Sequence, residues 1–199
     1  LIRLDANQGW TPKQAVAAAN KLINLGVVGV IGAYCSSSTI PSSEVLAEED
    51  IPMLTPASTN EQVTERGLEF MFRLCGRDDD QAPAAAKFLK EHLGAKTIFI
   101  VDDKTTYSQG LADGVSKAAK EMGMEVVEHD HVNQGDKDFA AVLTKVKAAN
   151  PDVLYMSLQG FSPAAMMTLQ AKRLGLESQI VTQDAVFQPK YMDVAKEAA

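Results

Sequence analysis

Two short loops carry the groups best suited to hold a small anion: Tyr34-Cys35-Ser36-Ser37-Ser38-Thr39 and Thr55-Pro56-Ala57-Ser58-Thr59-Asn60. Each follows a short apolar run of the kind that forms a buried strand. Small hydroxyl residues at the carboxyl ends of parallel strands, where helices begin, offer hydroxyls and backbone N–H groups to an anion. Neither loop sets a base beside a nucleophile, so the pattern suits capture and not bond breaking. Asp184 follows another apolar run, where a carboxylate can form a turn or cap a helix. The pair His129 and His131, two apart, is expected to be a solvated strand terminus and not a metal site. Asp102-Asp103 has the form of a strand-end turn.

The elements that must position these residues alternate. Thr11-Pro12-Lys13-Gln14 supplies an N-cap, a proline at the first helical position and a capping-box glutamine, and Gly26 stops the series Val16, Ala19, Leu22, Ile23. The run 27–32, apolar on both faces, predicts a central parallel strand. The serine loop follows, then a helix through Val45-Leu46-Ala47 and a strand at Pro52-Met53-Leu54. After an apolar run over 70–74, the pattern predicts a helix over 81–93 ended by Gly94, a strand over 97–101, a helix over 108–122 and an extended segment over 124–128. A helix over 139–149, a strand over 153–156, a helix from a Ser162-Pro163 cap to Leu174, a strand over 180–182 and a helical segment over 191–199 complete the series. This is the pattern of stacked βαβ units in an α/β protein.

The polar run Gly76-Arg77-Asp78-Asp79-Asp80 is either a long acidic turn or a crossover between lobes. We place a partial N-terminal lobe at 1–76 and a C-terminal lobe at 77–199. The first lobe has at most three strands and opens inside one of them, at Leu1-Ile2-Arg3-Leu4, so part of a longer protein is expected.

Composition narrows the function classes. With 199 residues, 46% of them hydrophobic, the chain can bury a substantial core. A formal charge of −7 argues against a nucleic-acid or anionic-membrane partner. No apolar run approaches the roughly 20 residues of a membrane-spanning helix. The start lacks an initiator methionine and a secretory leader, so processing or trimming is expected, and export is compatible with it. Cys35 and Cys75 leave either two buried thiols or a mutual disulfide. The dinucleotide, phosphate-loop and nucleophile-elbow glycine motifs are all missing, which argues against catalysis, and no cofactor is expected. The methionines Met122, Met124, Met156, Met166, Met167 and Met192 are expected as core filler, and Lys87, Lys90, Lys117 and Lys120 as solvated helix faces.

Taken in order, Thr11-Pro12-Lys13-Gln14-Ala15-Val16, Val30-Ile31-Gly32 with Cys35-Ser36-Ser37-Ser38-Thr39, Thr55-Pro56-Ala57-Ser58-Thr59, Asp79-Asp80-Gln81-Ala82-Pro83-Ala84-Ala85 and Tyr107-Ser108-Gln109-Gly110-Leu111 give the chain a family likeness. It resembles the periplasmic branched-chain amino-acid (Leu/Ile/Val) binding proteins of ABC importers over nearly its whole length. The resemblance implies the type I periplasmic-binding fold: two Rossmann-like lobes, parallel sheets flanked by helices, closing around the ligand by a hinge. It implies that this chain is an internal segment with the first lobe incomplete. It also implies an amino-acid ligand, a membrane permease as partner, and a periplasmic or extracellular location, lipid-anchored in a Gram-positive source.

The resemblance assigns ligand-binding roles residue by residue. Ser36 matches the position whose hydroxyl and backbone meet the ligand carboxylate, and Thr59 a threonine on the amino-acid head group; for both, helix capping is the alternative. Ala57 matches a backbone carbonyl for the ammonium, with Ser58 beside it. Tyr107 matches a pocket aromatic, and Asp184 the acidic partner of the ammonium, one methylene shorter than the Glu common there. Gln159 or Phe161 falls where the family often has an aromatic. Trp10 stands where some members have a cysteine paired with the counterpart of Cys35, so Cys35 is expected as a thiol at the cleft edge. The competing readings are a sensor domain of a receptor or regulator with the same fold, or a site for an aromatic acid or amide.

Overall fold

The structure, a computed structural model, describes residues 10–195. The partial strand expected at Leu1-Ile2-Arg3-Leu4 and the end of the segment expected over 191–199 lie outside the described residues. The chain divides between Asp79 and Asp80 into two compact units.

In the first unit, α1 (Pro12–Asn24) starts as its sequence dictates. The Thr11 hydroxyl accepts from the Gln14 N–H at 3.3 Å, and the Gln14 side chain accepts from the Thr11 N–H at 2.9 Å. Two orphan donors of the helix start are thereby satisfied. Three parallel strands, β1 (Val30–Ile31), β2 (Met53–Thr55) and β3 (Met71–Arg73), lie in that order. The helix α2 (Ser36–Ala47) follows β1 and packs against α1. A small core of Ala19, Leu46, Met53, Val63 and Met71 holds these elements together.

The run 27–32 is shorter as a strand than expected. It yields the two-residue β1, paired among the described residues with β2. Ile31 is 81% exposed and Val28 91%. Apolarity on both faces signals that a segment can be covered, but it does not supply the neighbour that covers it.

The second unit holds a parallel sheet in the order β5-β4-β6-β7, formed by β4 (Thr97–Asp102), β5 (Glu125–His131), β6 (Val153–Ser157) and β7 (Gln179–Thr182). Both faces of the central strands are covered, which is why they read as continuous apolar runs. Ile98, Ile100 and Tyr155 pack on one face with Leu89 and with Leu111 and Val115 of α4 (Thr106–Glu121). Phe99, Val101, Leu154 and Met156 pack on the other with α5 (Ala140–Ala149) and α6 (Phe161–Arg173). A last short helix, α7 (Pro189–Ala195), lies against α6. Gly114 lets α4 approach its neighbour, since a Cβ there would stand 2.8 Å from that of Ala82.

Three boundaries differ from expectation for local reasons. The acidic run 78–80 is the first turn of α3 (Asp78–Lys87), where carboxylates suit the positive end of the helix dipole. That helix continues through a π-helical turn, Phe88–His92, and stops before Gly94 at φ +66°. Gly160, at φ +111°, occupies the N-cap of α6, so Ser162 and Pro163 fall inside the first turn and not at the cap. β5 runs past residue 128 to His131 because its register with β4 continues to Asp102.

Asp152 ties the entry of β4 to that of β6. Its Oδ2 accepts from the Lys96 N–H at 2.8 Å, the Thr97 N–H at 2.9 Å and the Thr97 hydroxyl at 3.0 Å. The two backbone donors hold its carboxyl below the usual carboxylate range. A depressed folded value contributes stability above the unfolded carboxylate pKa of about 3.9, and that stability is lost as pH falls through the folded value. Asp152→Ala is expected to cost about 1 to 2 kcal/mol at pH 7, discounted for exposure. Urea unfolding should show the parent–variant gap closing between pH 5 and pH 2, at roughly the acid limit of carboxylate linkage; a gap constant over that window would refute the account.

No helix among the described residues is long and apolar enough to cross a membrane.

Candidate functional site

The hydroxyl-rich loops of the first unit are locked to each other. Three side chains converge on the Ala33 carbonyl: Thr55 Oγ1 donates to it at 2.7 Å, Thr39 Oγ1 at 3.2 Å and Ser58 Oγ at 3.3 Å. Ser58 also reaches the Tyr34 carbonyl at 3.0 Å and lies 2.7 Å from the Thr39 hydroxyl. All three residues are buried. The Ser58 hydroxyl is therefore engaged in holding the loop after β2 against the loop after β1.

Ser36 is the first residue of α2, with Cys35 in the N-cap position and no side-chain cap there. The Ser36 hydroxyl accepts from the Asn60 N–H at 3.3 Å across the two loops, so it does not cap its own helix. Four helix-start N–H groups lack an intrahelical acceptor in any α-helix, and the positive end of the α2 dipole lies here. Ala57 and Thr59 are half-buried in the second loop. The Ala57 N–H meets Thr55 Oγ1 at 3.4 Å, and the Thr59 carbonyl accepts from the Asp78 N–H at 2.9 Å. Cys35 and Cys75 are both thiols, with Cys35 buried, and Cys75 donates to the Ser58 carbonyl.

Arg73, at the end of β3, organises this loop and was missed in sequence. Its Nη1 donates to the carbonyls of Thr59 and Asn60 at 2.9 Å each and of Ser58 at 3.3 Å. Its Nη2 donates to the Thr64 hydroxyl. A charge at the end of an apolar triplet was the available signal, but nothing in sequence says which carbonyls it gathers.

In the second unit the loops after β4, β6 and β7 are interlaced. Asp103 accepts from the Gln159 N–H at 2.6 Å and from the Thr105 hydroxyl at 2.8 Å, and its own N–H donates to Ser108 Oγ at 2.9 Å. The Ser157 hydroxyl donates to the Ser108 carbonyl at 2.8 Å, and Gln183 Nε2 donates to the Leu158 carbonyl. Upon this base sits the pair that the sequence placed 77 residues apart: the Tyr107 hydroxyl donates to Asp184 Oδ1 at 2.6 Å. Tyr107 is buried in the first turn of α4, while Asp184 opens the 3₁₀ turn Asp184–Val186 and is exposed. The arrangement holds a carboxylate in a fixed direction while leaving it reachable by a cation. Phe161, half-buried, is the first residue of α6, and Gln159 is half-buried two residues earlier.

A third constellation was not foreseen. Asp102, fully buried at the end of β4, has Oδ2 2.6 Å from His129 Nε2 and 2.7 Å from His131 Nδ1. Asp102 Oδ1 accepts from the Lys104 N–H at 2.7 Å. Burial opposes ionisation here, but the bonds from His129, the Lys104 N–H and His131 together hold the carboxyl below the usual range. The histidines thus have a third ligand type beside them, supplied by the neighbouring strand and not by the nearby sequence.

Residues 4–199 match the family described as periplasmic binding protein. The chain is 43% identical over 185 residues to an amino acid binding protein of Pseudomonas aeruginosa, covering 92% of this chain and 49% of that one. It is 40% identical to the Leu/Ile/Val-binding protein of Escherichia coli, covering 94% of this chain and 51% of that one. The solved leucine binding protein LivK of Thermotoga maritima superimposes with a TM-score of 0.89 at 32% identity, over 94% of this chain and 53% of that one. The chain therefore spans about half the length of the curated relatives it matches.

Proposed function

We propose that this chain, which belongs to the periplasmic binding protein family, is part of a solute-binding protein that captures an amino acid, of the branched-chain aliphatic class, for an ABC importer. The observation that carries the reading is the exposed Asp184 carboxylate fixed by the buried Tyr107 hydroxyl. A fixed, exposed carboxylate suits the ammonium of a zwitterion. In the first unit, Ser36 and the start of α2 offer donors for the ligand carboxylate, with Ala57 and Thr59 on the adjoining loop. Ser58 holds that loop in place, and Phe161 contributes apolar surface beside the loop after β6. The names of the relatives from Pseudomonas aeruginosa, Escherichia coli and Thermotoga maritima support the ligand class.

The output is binding, not catalysis, and the partners are the amino acid and a membrane permease. The location that goes with this role is periplasmic or extracellular, with a lipid anchor in a Gram-positive source.

Titration of the intact protein with the twenty amino acids and a few aromatic acids, followed by calorimetry, tests the reading. Binding of Leu, Ile or Val supports it. Silence toward every amino acid with a response to an aromatic acid would overturn the ligand class and the role of Asp184.

Ser36→Ala is expected to weaken amino-acid binding by about 1 to 2 kcal/mol, since one neutral hydroxyl is lost while backbone donors remain. Unchanged affinity with a lowered melting temperature would restrict Ser36 to its bond with Asn60.

A further inference from the structure

The second unit carries a cluster that the amino-acid reading does not use. Asp102 and His131 are directly paired in register on adjacent parallel strands, and His129 lies two residues back on β5. In a strand, residues two apart share a face, so both imidazoles point to the face on which Asp102 lies. One nitrogen from each ring and one carboxylate oxygen lie within 4.8 Å of one another.

We propose that Asp102, His129 and His131 bind a divalent transition-metal ion of the zinc type, which pins the edge strand β5 to β4. Two imidazoles and one carboxylate are a donor set suited to zinc, copper or nickel and not to calcium or magnesium, which take oxygen ligands. With metal–ligand bonds of about 2.0–2.1 Å, tetrahedral donors stand roughly 3.3 Å apart. The present separations of 2.6 Å and 2.7 Å between the carboxylate oxygen and the two ring nitrogens are hydrogen-bond distances, which an ion would replace with metal–ligand bonds to the same three atoms.

Supporting groups are in place around the donors. The second carboxylate oxygen is fixed by the Lys104 N–H at 2.7 Å, which aims Oδ2 at the rings. The other nitrogen of His129, Nδ1, lies 3.6 Å from Asp113 Oδ1, an exposed carboxylate within ion-pair range of the ring that a metal-bound imidazole could draw closer. The side chain of His131 is 37% exposed and that of Asp102 is fully buried, so an ion has a route in and a water can complete its coordination. Tyr107 and Asp184 are not among the donors, so this site stands or falls apart from the amino-acid site.

The test is a Zn²⁺ titration of the intact protein after chelator treatment, by calorimetry and by competition with a chromogenic chelator. One equivalent should bind. Removing a ligand should weaken binding at least as much as losing a supporting carboxylate does, so His129→Ala and His131→Ala should each lose about 100-fold or more, and Asp113→Asn about tenfold. His92→Ala, on a helix elsewhere, should leave the affinity unchanged. Circular dichroism of the metal-free variants checks folding. If either alanine variant unfolds, the Co²⁺ absorption spectrum of the parent decides, with ligand-field bands of a low-coordinate imidazole–carboxylate site expected. Failure to bind a stoichiometric ion, equal affinity in folded parent and histidine variants, or a Co²⁺ spectrum like that of the aquo ion would overturn the proposal.

Discussion

Asp184→Ala is expected to lower the affinity of the intact protein for the proposed amino-acid ligand by about 2 to 5 kcal/mol, the range for removing one member of a desolvated, hydrogen-bonded charge pair. The Tyr107 hydroxyl gives this expectation its structural basis, because a 2.6 Å bond from a buried tyrosine fixes the carboxylate before any ligand arrives. Preorganisation reduces the ordering cost of binding. Tyr107→Phe should therefore weaken binding as well, by about 1 to 2 kcal/mol, since the carboxylate survives but loses its donor. Asp184→Asn separates charge from shape: it keeps an acceptor for Tyr107 and removes the negative charge. Calorimetry on the three variants checks the ordering, with Asp184→Ala most affected and Tyr107→Phe least. Affinity equal to that of the parent in Asp184→Ala would remove this residue from the site.

Arg73→Ala should destabilise the protein by about 2 to 4 kcal/mol and weaken ligand binding with it. The guanidinium donates to the carbonyls of Ser58, Thr59 and Asn60 and to the Thr64 hydroxyl, and hydrogen bonds to a charged group are each stronger than neutral ones. Without it, three half-buried carbonyls on one loop lose their shared donor, and the loop that carries Ala57 and Thr59 loses its conformation. Arg73→Lys should recover only part of the loss, because an ammonium is a point donor and cannot span this set as a planar fork does. Thermal unfolding with and without ligand checks both effects. A variant with unchanged melting temperature and affinity would show that the hydroxyl network around Ala33 holds the loop without Arg73.

Local chemistry made much of the architecture legible. The Thr11 to Gln14 cap, the glycine stop at Gly94 and the apolar runs of β4 and β6 each depend on a few adjacent residues, and the structure places them as the sequence predicts. For the run 27–32 the described residues supply one partner strand, β2, and which strands flank a segment is set by chain topology and not by its own residues. The cap of α6 differs from expectation because a glycine with positive φ competes with a serine–proline pair, and only the path of the chain after β6 decides between them.

Of the candidate site, the sequence determined which residue types stand at the strand ends: the hydroxyls after β1 and β2, Tyr107 at the start of α4 and Asp184 after β7. Residue types and spacing follow from covalent order. What each hydroxyl bonds does not, because Thr39, Thr55 and Ser58 turn to the same Ala33 carbonyl only once two parallel strands lie side by side. The bond between Tyr107 and Asp184, the carbonyls gathered by Arg73 and the meeting of Asp102 with His129 and His131 likewise belong to the tertiary structure alone. Each joins groups from different elements, and strand register and order, set by burial of the sheet's two faces, bring them within hydrogen-bonding distance.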